Sequence, residues 1–357
     1  MKLVIFGAGA SYDSIHTFYD RIEDNRWKPP LANDIYSDRS EFLDIINGFE
    51  GALSLKSEIV LGNDLEEYFQ GLWEFATKNN NDLFFSKIIN TQYYFQKLFI
   101  EISNNYKLVG NSNYDVISNF AYRYAMQSKE DVLFVSFNYD LLLEYALERV
   151  LNTEFLDLSD YTRHPIKYLK PHGSCNWFRD FKSSAGKGTI NSLAGREVES
   201  FIDNLYKKQV SNEKIEQSLE RHIVLRNDFN VDNKFGLPQL LIPLKEKDDF
   251  IMPDEHLEVL ENNLSEVDSI LIIGWKGTEA KFTRLLNEQL GDKEVEIITI
   301  NNGDDTIVNV VRKELPKAKI TPYSYKPDVN FKGSRDTFSN FVSTQTLFKN
   351  DPTFFFK

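Results

Sequence analysis

Cysteine is almost missing from this 357-residue chain, Cys175 being the single one. That excludes an intramolecular disulfide and any zinc site built from clustered thiolates, and it suits a reducing compartment. Long apolar runs are also missing. None approaches the roughly 20 residues that cross a bilayer, so no membrane contact is expected. The opening Met1 to Phe6 stretch turns at Gly7 and is too brief for a secretory core, which makes the cytoplasm the expected location. Positive charge is in short supply. With 41 basic against 54 acidic side chains the formal charge is -13, a field that repels phosphate backbones, and direct nucleic-acid binding is not expected. Histidines number five, and His16, His164, His222 and His256 lack metal-ligand spacing, so no metal is expected.

What is present is a set of short apolar runs that stop at polar loops. Leu3 to Phe6, Val132 to Phe137, Ile166 to Leu169, Ile270 to Ile273 and Val295 to Ile300 read as buried parallel strands delivering loops to one sheet edge. The helical pattern Leu141 to Leu151 follows the second run. Strand, loop and helix in that rhythm predict an α/β fold, a doubly wound and mostly parallel sheet of Rossmann-like kind.

More than a hundred residues separate the first two strands, too many for one crossover. Helical periodicity from about Asp64 to Arg123, with Leu65, Tyr68, Phe69, Leu72 and Trp73 on one face and Tyr94, Leu98 and Phe99 on another, predicts a helical insertion spanning about 40–128. The 28 Phe and 17 Tyr suit thick helical packing layers. A second, charged insertion is expected over about 181–233, with a loop from Ser183 to Gly188 and a helix from Glu197 to Arg221. These insertions enlarge one domain of residues 1–330. A tail, 331–357, ends in Phe354, Phe355 and Phe356, which are expected to dock on this chain or on a neighbour.

Candidate chemistry lies in the loops after the strands. Gly7, Ala8, Gly9 and Ser11 stand where a dinucleotide fold puts its phosphate turn, though Tyr12 replaces the third glycine of that fingerprint; a plain tight turn is the other reading. Asn138 offers a donor and an acceptor that orient a water or ribose hydroxyl, or else merely ends its strand or caps the helix beginning near Asp140. Asp140 is either part of that site or a first-turn acid complementing a helix dipole. His172, after Lys170-Pro171 and before Gly173, is either a general base near neutral pH or a satisfied loop histidine. Gly274 and Thr278 in the fourth loop, with Trp275 as a stacking face, and Asn301 and Asn302 in the fifth, are ligand contacts or turn residues.

The order Gly-Ala-Gly-Ala-Ser, Phe-Asn-Tyr-Asp, Pro-His-Gly-Ser, Ile-Ile-Gly-Trp-Lys-Gly-Thr and Ile-Asn-Asn resembles the sirtuin-like superfamily of NAD-binding proteins, in particular its bacterial anti-phage branch. The resemblance covers the sheet-borne loops over residues 1 to about 310. It implies a pyrophosphate loop at Gly7, Ala8, Gly9 and Ser11, and a cofactor loop at Pro29 to Asp34 with Asn33 and Asp34. It implies a water- or riboside-positioning role for Asn138, a ribose-engaging base at His172, and adenosine-side contacts at Gly274, Thr278, Asn301 and Asn302. Trp275 and Lys276 depart from the small residues that pattern has after its first glycine.

Protein deacylases of this superfamily carry a four-cysteine zinc module between the histidine and later glycine loops, and here that interval holds only Cys175. The resemblance therefore implies no zinc and points from deacylation to hydrolysis of NAD into nicotinamide and ADP-ribose, by a regulated abortive-infection effector. Two other readings stay open: a silent NAD- or ADP-ribose-sensing module acting through a partner, and ADP-ribosyl transfer. Restraint of such an activity implies a homo-oligomer, a regulatory protein such as an ATPase, or both.

Overall fold

A computed structural model describes residues 1–14, 25–60, 64–79, 82–108, 110–182, 216–224, 236–242, 250–301, 305–323, 338–347 and 355–356. The chain runs through β1 (Lys2–Phe6), α1 (Ala8–Ser14), α2 (Ser40–Ile46), α3 (Glu50–Val60), α4 (Leu65–Asn79), α5 (Asp82–Tyr106), α6 (Asn113–Ser128), β2 (Val132–Ser136) and α7 (Leu142–Leu151). It continues through β3 (Ile166–Leu169), β4 (Gly173–Lys182), β5 (Glu216–Val224), β6 (Gly236–Leu240), α8 (Asp254–Leu264), β7 (Ser269–Ile273), α9 (Ala280–Leu290), β8 (Glu296–Ile300), α10 (Thr306–Glu314), β9 (Lys319–Pro322) and α11 (Phe338–Leu347).

Each of the five apolar runs is a strand, and β9 adds a sixth that its short, mostly exposed sequence hid. The six form one parallel sheet in the order β3-β2-β1-β7-β8-β9. Counted within the sheet this is 3-2-1-4-5-6, the doubly wound dinucleotide-fold order, with its reversal between β1 and β7. Every residue of β1 and β2 is buried, as expected where helices flank a parallel sheet and strands become continuous hydrophobic runs. Register decides where these strands stop. Phe6 lies opposite Ser136 on one side and Ile273 on the other, so β1, β2 and β7 end level.

The expected helical insertion contains α2 to α6. Leu65, Phe69, Leu72 and Ala76 form the buried stripe of α4, at steps of four, three and four residues. Trp73, expected on that face, falls one residue beyond the stripe and is exposed. Tyr36, Phe69, Tyr94 and Phe95 make an aromatic layer with ring centroids 5.5–6.4 Å apart. Pairs at such spacing add roughly 0.5–1.5 kcal/mol each beyond their burial.

Within the charged insertion, one expected element is corrected by the structure. Of the helix expected from Glu197 to Arg221, the described part, Glu216 to Arg221, is strand: β5 pairs antiparallel with β4, and β4 also pairs with β6 in a three-stranded sheet. Charge on the edge strand of a sheet and charge on a helix face look alike in sequence, so local pattern does not separate them here. The expected loop Ser183 to Gly188 and the segment 197–215 lie outside the described residues.

In the tail, α11 buries Phe338, Phe341 and Val342, and Asn113 Nδ2 donates to Ser339 Oγ over 2.8 Å. Phe355 and Phe356 dock on this chain: Lys2 Nζ sits 4.8 Å above the Phe355 ring and Phe356 lies 6.2 Å from Tyr124. Phe354 lies outside the described residues.

Candidate functional site

Because β1, β2 and β7 end level, the residues after them meet at one edge of the sheet. There they line a cleft of about 520 Å³ at the point where the strand order reverses. Gly7, Ala8, Gly9 and Ser11 come from the first loop, Asn138 and Asp140 from the second, His172 from the third, Gly274 and Thr278 from the fourth, and Asn301 from the fifth. Asn33 and Asp34 line the cleft as well. Asn302 lies outside the described residues.

The first turn is tighter than a ligand alone requires. A Cβ on Gly7 would stand 2.6 Å from Trp275 Cα and 2.9 Å from the carbonyl carbon of Gly274, so glycine is imposed by the approach of the fourth loop. Gly7 N donates to Ile273 O over 2.9 Å and Gly9 N to Gly274 O over 3.2 Å. Those two amides are spent within the protein. Helix α1 begins at Ala8, so Ser11 sits inside it and caps nothing; its Oγ shares a 2.9 Å hydrogen bond with Tyr114 OH.

Asn138 neither caps α7 nor merely ends β2. Its Nδ2 lies 2.9 Å from Gly7 O, 3.0 Å from Ser11 Oγ and 3.2 Å from Tyr114 OH, and its two hydrogens serve two of these at a time. The amide nitrogen is thereby turned into the protein. The Oδ1 carries no hydrogen bond among the described residues, which leaves an acceptor for a water or a sugar hydroxyl. Burial pushes the Tyr114 hydroxyl well above its ordinary range, so this anchor stays neutral.

Below Asn138 lies a buried charge network. Lys170, fully buried, donates from Nζ to Asp140 O (2.7 Å), Glu144 Oε1 (2.7 Å) and Ser174 Oγ (2.8 Å), which uses all three of its protons. Tyr168 OH donates to Glu144 Oε2 over 3.1 Å. Burial pushes the Asp140 and Glu144 carboxyls up, against the pull of the Lys170 ammonium. The Asp140 side chain also accepts from Leu142 N over 3.1 Å, so the helix-start reading of Asp140 describes one of its contacts.

His172 is 3% exposed and meets the ring of Phe137 edge to face at 4.8 Å. Its Nε2 lies 3.9 Å from Glu279 Oε1. Trp275 does not offer its face to a ligand as expected: it is 2% exposed and stacks on Phe137 at 5.4 Å and 8°. Its indole N–H donates to Glu279. Asn33 Oδ1 accepts from Leu65 N over 3.2 Å, which ties the cleft to the start of α4. Asn301 Nδ2 reaches Trp275 O at 3.5 Å.

Tyr114, Glu279, Asp64, Glu66 and Phe99 belong to this neighbourhood and were not anticipated. A glutamate directly before a helix looks like a dipole-complementing acid, and a tyrosine inside a helical stripe looks like core. Of the remaining histidines, His256 is a buried structural one, its Nε2 2.8 Å from Leu158 O. Among the described residues no group of three or more His, Cys, Asp or Glu is arranged to hold a metal ion, and no helix is long and apolar enough to cross a membrane.

No family model matches the chain, and no curated protein matches it. Among solved structures it is similar to a Sir2 enzyme from a study of mechanism and regulation, at 13% identity and a TM-score of 0.33, covering 90% of this chain and 86% of that one. It is similar to a Sir2 homologue solved with NAD at 13% identity and a TM-score of 0.35, covering 89% and 83%. A third is Sir2Tm bound to a propionylated peptide, at 10% identity and a TM-score of 0.35, covering 97% and 92%.

Proposed function

We propose that this cleft takes NAD+ as substrate and hydrolyses its N-glycosidic bond, releasing nicotinamide and ADP-ribose. The observation that carries the reading is the placement of Asn138 and His172 after neighbouring strands, both lining the cleft at the sheet's reversal, with Asn138 Nδ2 held by Gly7 and its Oδ1 left as an acceptor. The chemistry asks little more of a protein. Cationic nicotinamide departs with the electron pair of the breaking C–N bond, and the ribose carbon gains oxocarbenium character. Asn138 Oδ1 accepts a hydrogen bond from the attacking water, His172 takes its proton, and the new C–O bond completes ADP-ribose.

Asn138, Asp140, Ser11 and the cofactor-side residues Gly7, Ala8, Gly9, Asn33, Asp34, Gly274, Thr278 and Asn301 form the wall against which we place the dinucleotide. With the Gly7 and Gly9 amides spent, its phosphates rely on the other groups of that wall. The resemblance in loop order supports a role as an NAD-depleting defence effector, and a toxic reaction of that kind calls for restraint by self-assembly or a partner protein. Purified protein incubated with NAD+, alone and with the products of neighbouring genes, is assayed for nicotinamide by chromatography. Release that disappears in Asn138→Ala and His172→Ala supports the reading. Binding without release favours a sensor, and adenine label appearing in macromolecules favours transfer.

A further inference from the structure

Glu279 stands immediately before α9, where a glutamate ordinarily faces water and complements the helix dipole. This one is turned away from water. It is 6% exposed, and its side chain makes no capping bond; only its backbone carbonyl serves the helix, accepting from Thr283 N over 2.9 Å. The carboxylate turns back under the fourth loop, where it accepts from the Trp275 indole N–H and lies 3.9 Å from His172 Nε2. Trp275 is itself locked by stacking on Phe137, whose ring also meets His172 edge to face. Histidine, indole and carboxylate are therefore held as one assembly against the same phenylalanine.

A buried carboxylate is costly unless it is hydrogen-bonded and faces positive charge. A neutral imidazole supplies little of that charge and an imidazolium supplies it fully. We propose that Glu279 is a positioning residue that acts through His172, as the counter-charge to the imidazolium formed when His172 takes the proton of the attacking water. The water's O–H bond breaks toward the imidazole, its oxygen bonds to the ribose carbon, and the C–N electron pair leaves with nicotinamide. The positive charge that leaves nicotinamide reappears on the imidazole ring. That charge spreads over both ring nitrogens, so the carboxylate faces it whichever nitrogen receives the proton. An interaction that strengthens only as the reaction proceeds raises kcat and leaves substrate binding unchanged. The inference rests on the hydrolysis reading and adds to it the residue that stabilises the base.

The test is Glu279→Gln, which keeps size and shape, with a thermal melt to establish folding. Nicotinamide release is expected to show kcat lower by roughly ten- to a hundred-fold and KM within about threefold of wild type. In ¹⁵N-histidine-labelled protein at one fixed pH, the His172 imidazole signal, assigned by its loss in His172→Ala, is expected to move in Glu279→Gln. An unchanged kcat, or a rise in KM accounting for the whole loss, overturns the inference, and so does an imidazole signal that stays in place. Wild-type protein that releases no nicotinamide overturns the hydrolysis reading, and the imidazole signal reports on the pairing independently, so the two failures are told apart.

Discussion

The side-chain amide of Asn138 donates to the backbone carbonyl of Gly7 over 2.9 Å, tying the residue just beyond β2 to the turn just beyond β1. The same turn is pressed against Gly274 and Trp275. Three loops from three adjacent strands are thus fixed to one another before any ligand arrives, and such preorganisation is what positions a reacting group cheaply.

Adding a methyl to the turn should break this contact. Gly7→Ala places a Cβ against the Gly274 and Trp275 backbone, which cannot swing aside as a side-chain end would. A loss of about 1–3 kcal/mol in denaturant unfolding is expected, together with weakened nicotinamide release. Gly71→Ala serves as the contrast. Gly71 lies inside α4 with nothing within 4 Å of its would-be Cβ, and its replacement should stabilise by roughly 0.5–1 kcal/mol.

The buried Lys170 and Glu144 pair predicts a double-mutant result. Lys170→Met leaves the Glu144 carboxylate buried without its ammonium and should cost about 3–5 kcal/mol. Glu144→Gln added to Lys170→Met removes the stranded charge and should recover a large part of that loss. Chemical denaturation of both single variants and the double variant measures the coupling. Additive losses would mean that the two side chains act independently.

Acid should stabilise this chain over a mild range. Burial pushes the carboxyls of Asp140, Glu144 and Glu148 above their ordinary values of 3.8 and 4.5, so the native state holds these protons more tightly than the unfolded chain does. Their contribution is complete below the unfolded values and is lost as pH rises through the native ones. The melting temperature is therefore expected to fall as pH rises above the ordinary carboxylate values and through the raised native ones, and Asp140→Asn should flatten that slope. A melting temperature that rises with pH over this window would contradict the assignment.

The sheet was legible because its strands are short apolar runs ending in glycine, asparagine or histidine, and parallel register then brings their loops to one edge. Asn138 and His172 could be named from position alone. What each does locally could not: whether Asn138 caps α7 or binds Gly7 depends on a partner 131 residues away. Glu279 and Tyr114 were hidden by resembling a helix-start acid and a core aromatic. Trp275 was misread because its stacking partner, Phe137, comes from a different strand end. The segment Glu216 to Arg221 reads as helix until strand β4 is there to pair with it. In each case the missing information is tertiary, and local pattern does not carry it.

The most direct measurement is nicotinamide released from NAD+ by wild-type protein, Asn138→Ala and His172→Ala, each verified as folded and tested alone and with the products of neighbouring genes. Hydrolysis at this cleft predicts release by wild type and a fall of at least about a hundredfold in each variant. Full turnover in either variant, or no release by wild type in any combination, would contradict it.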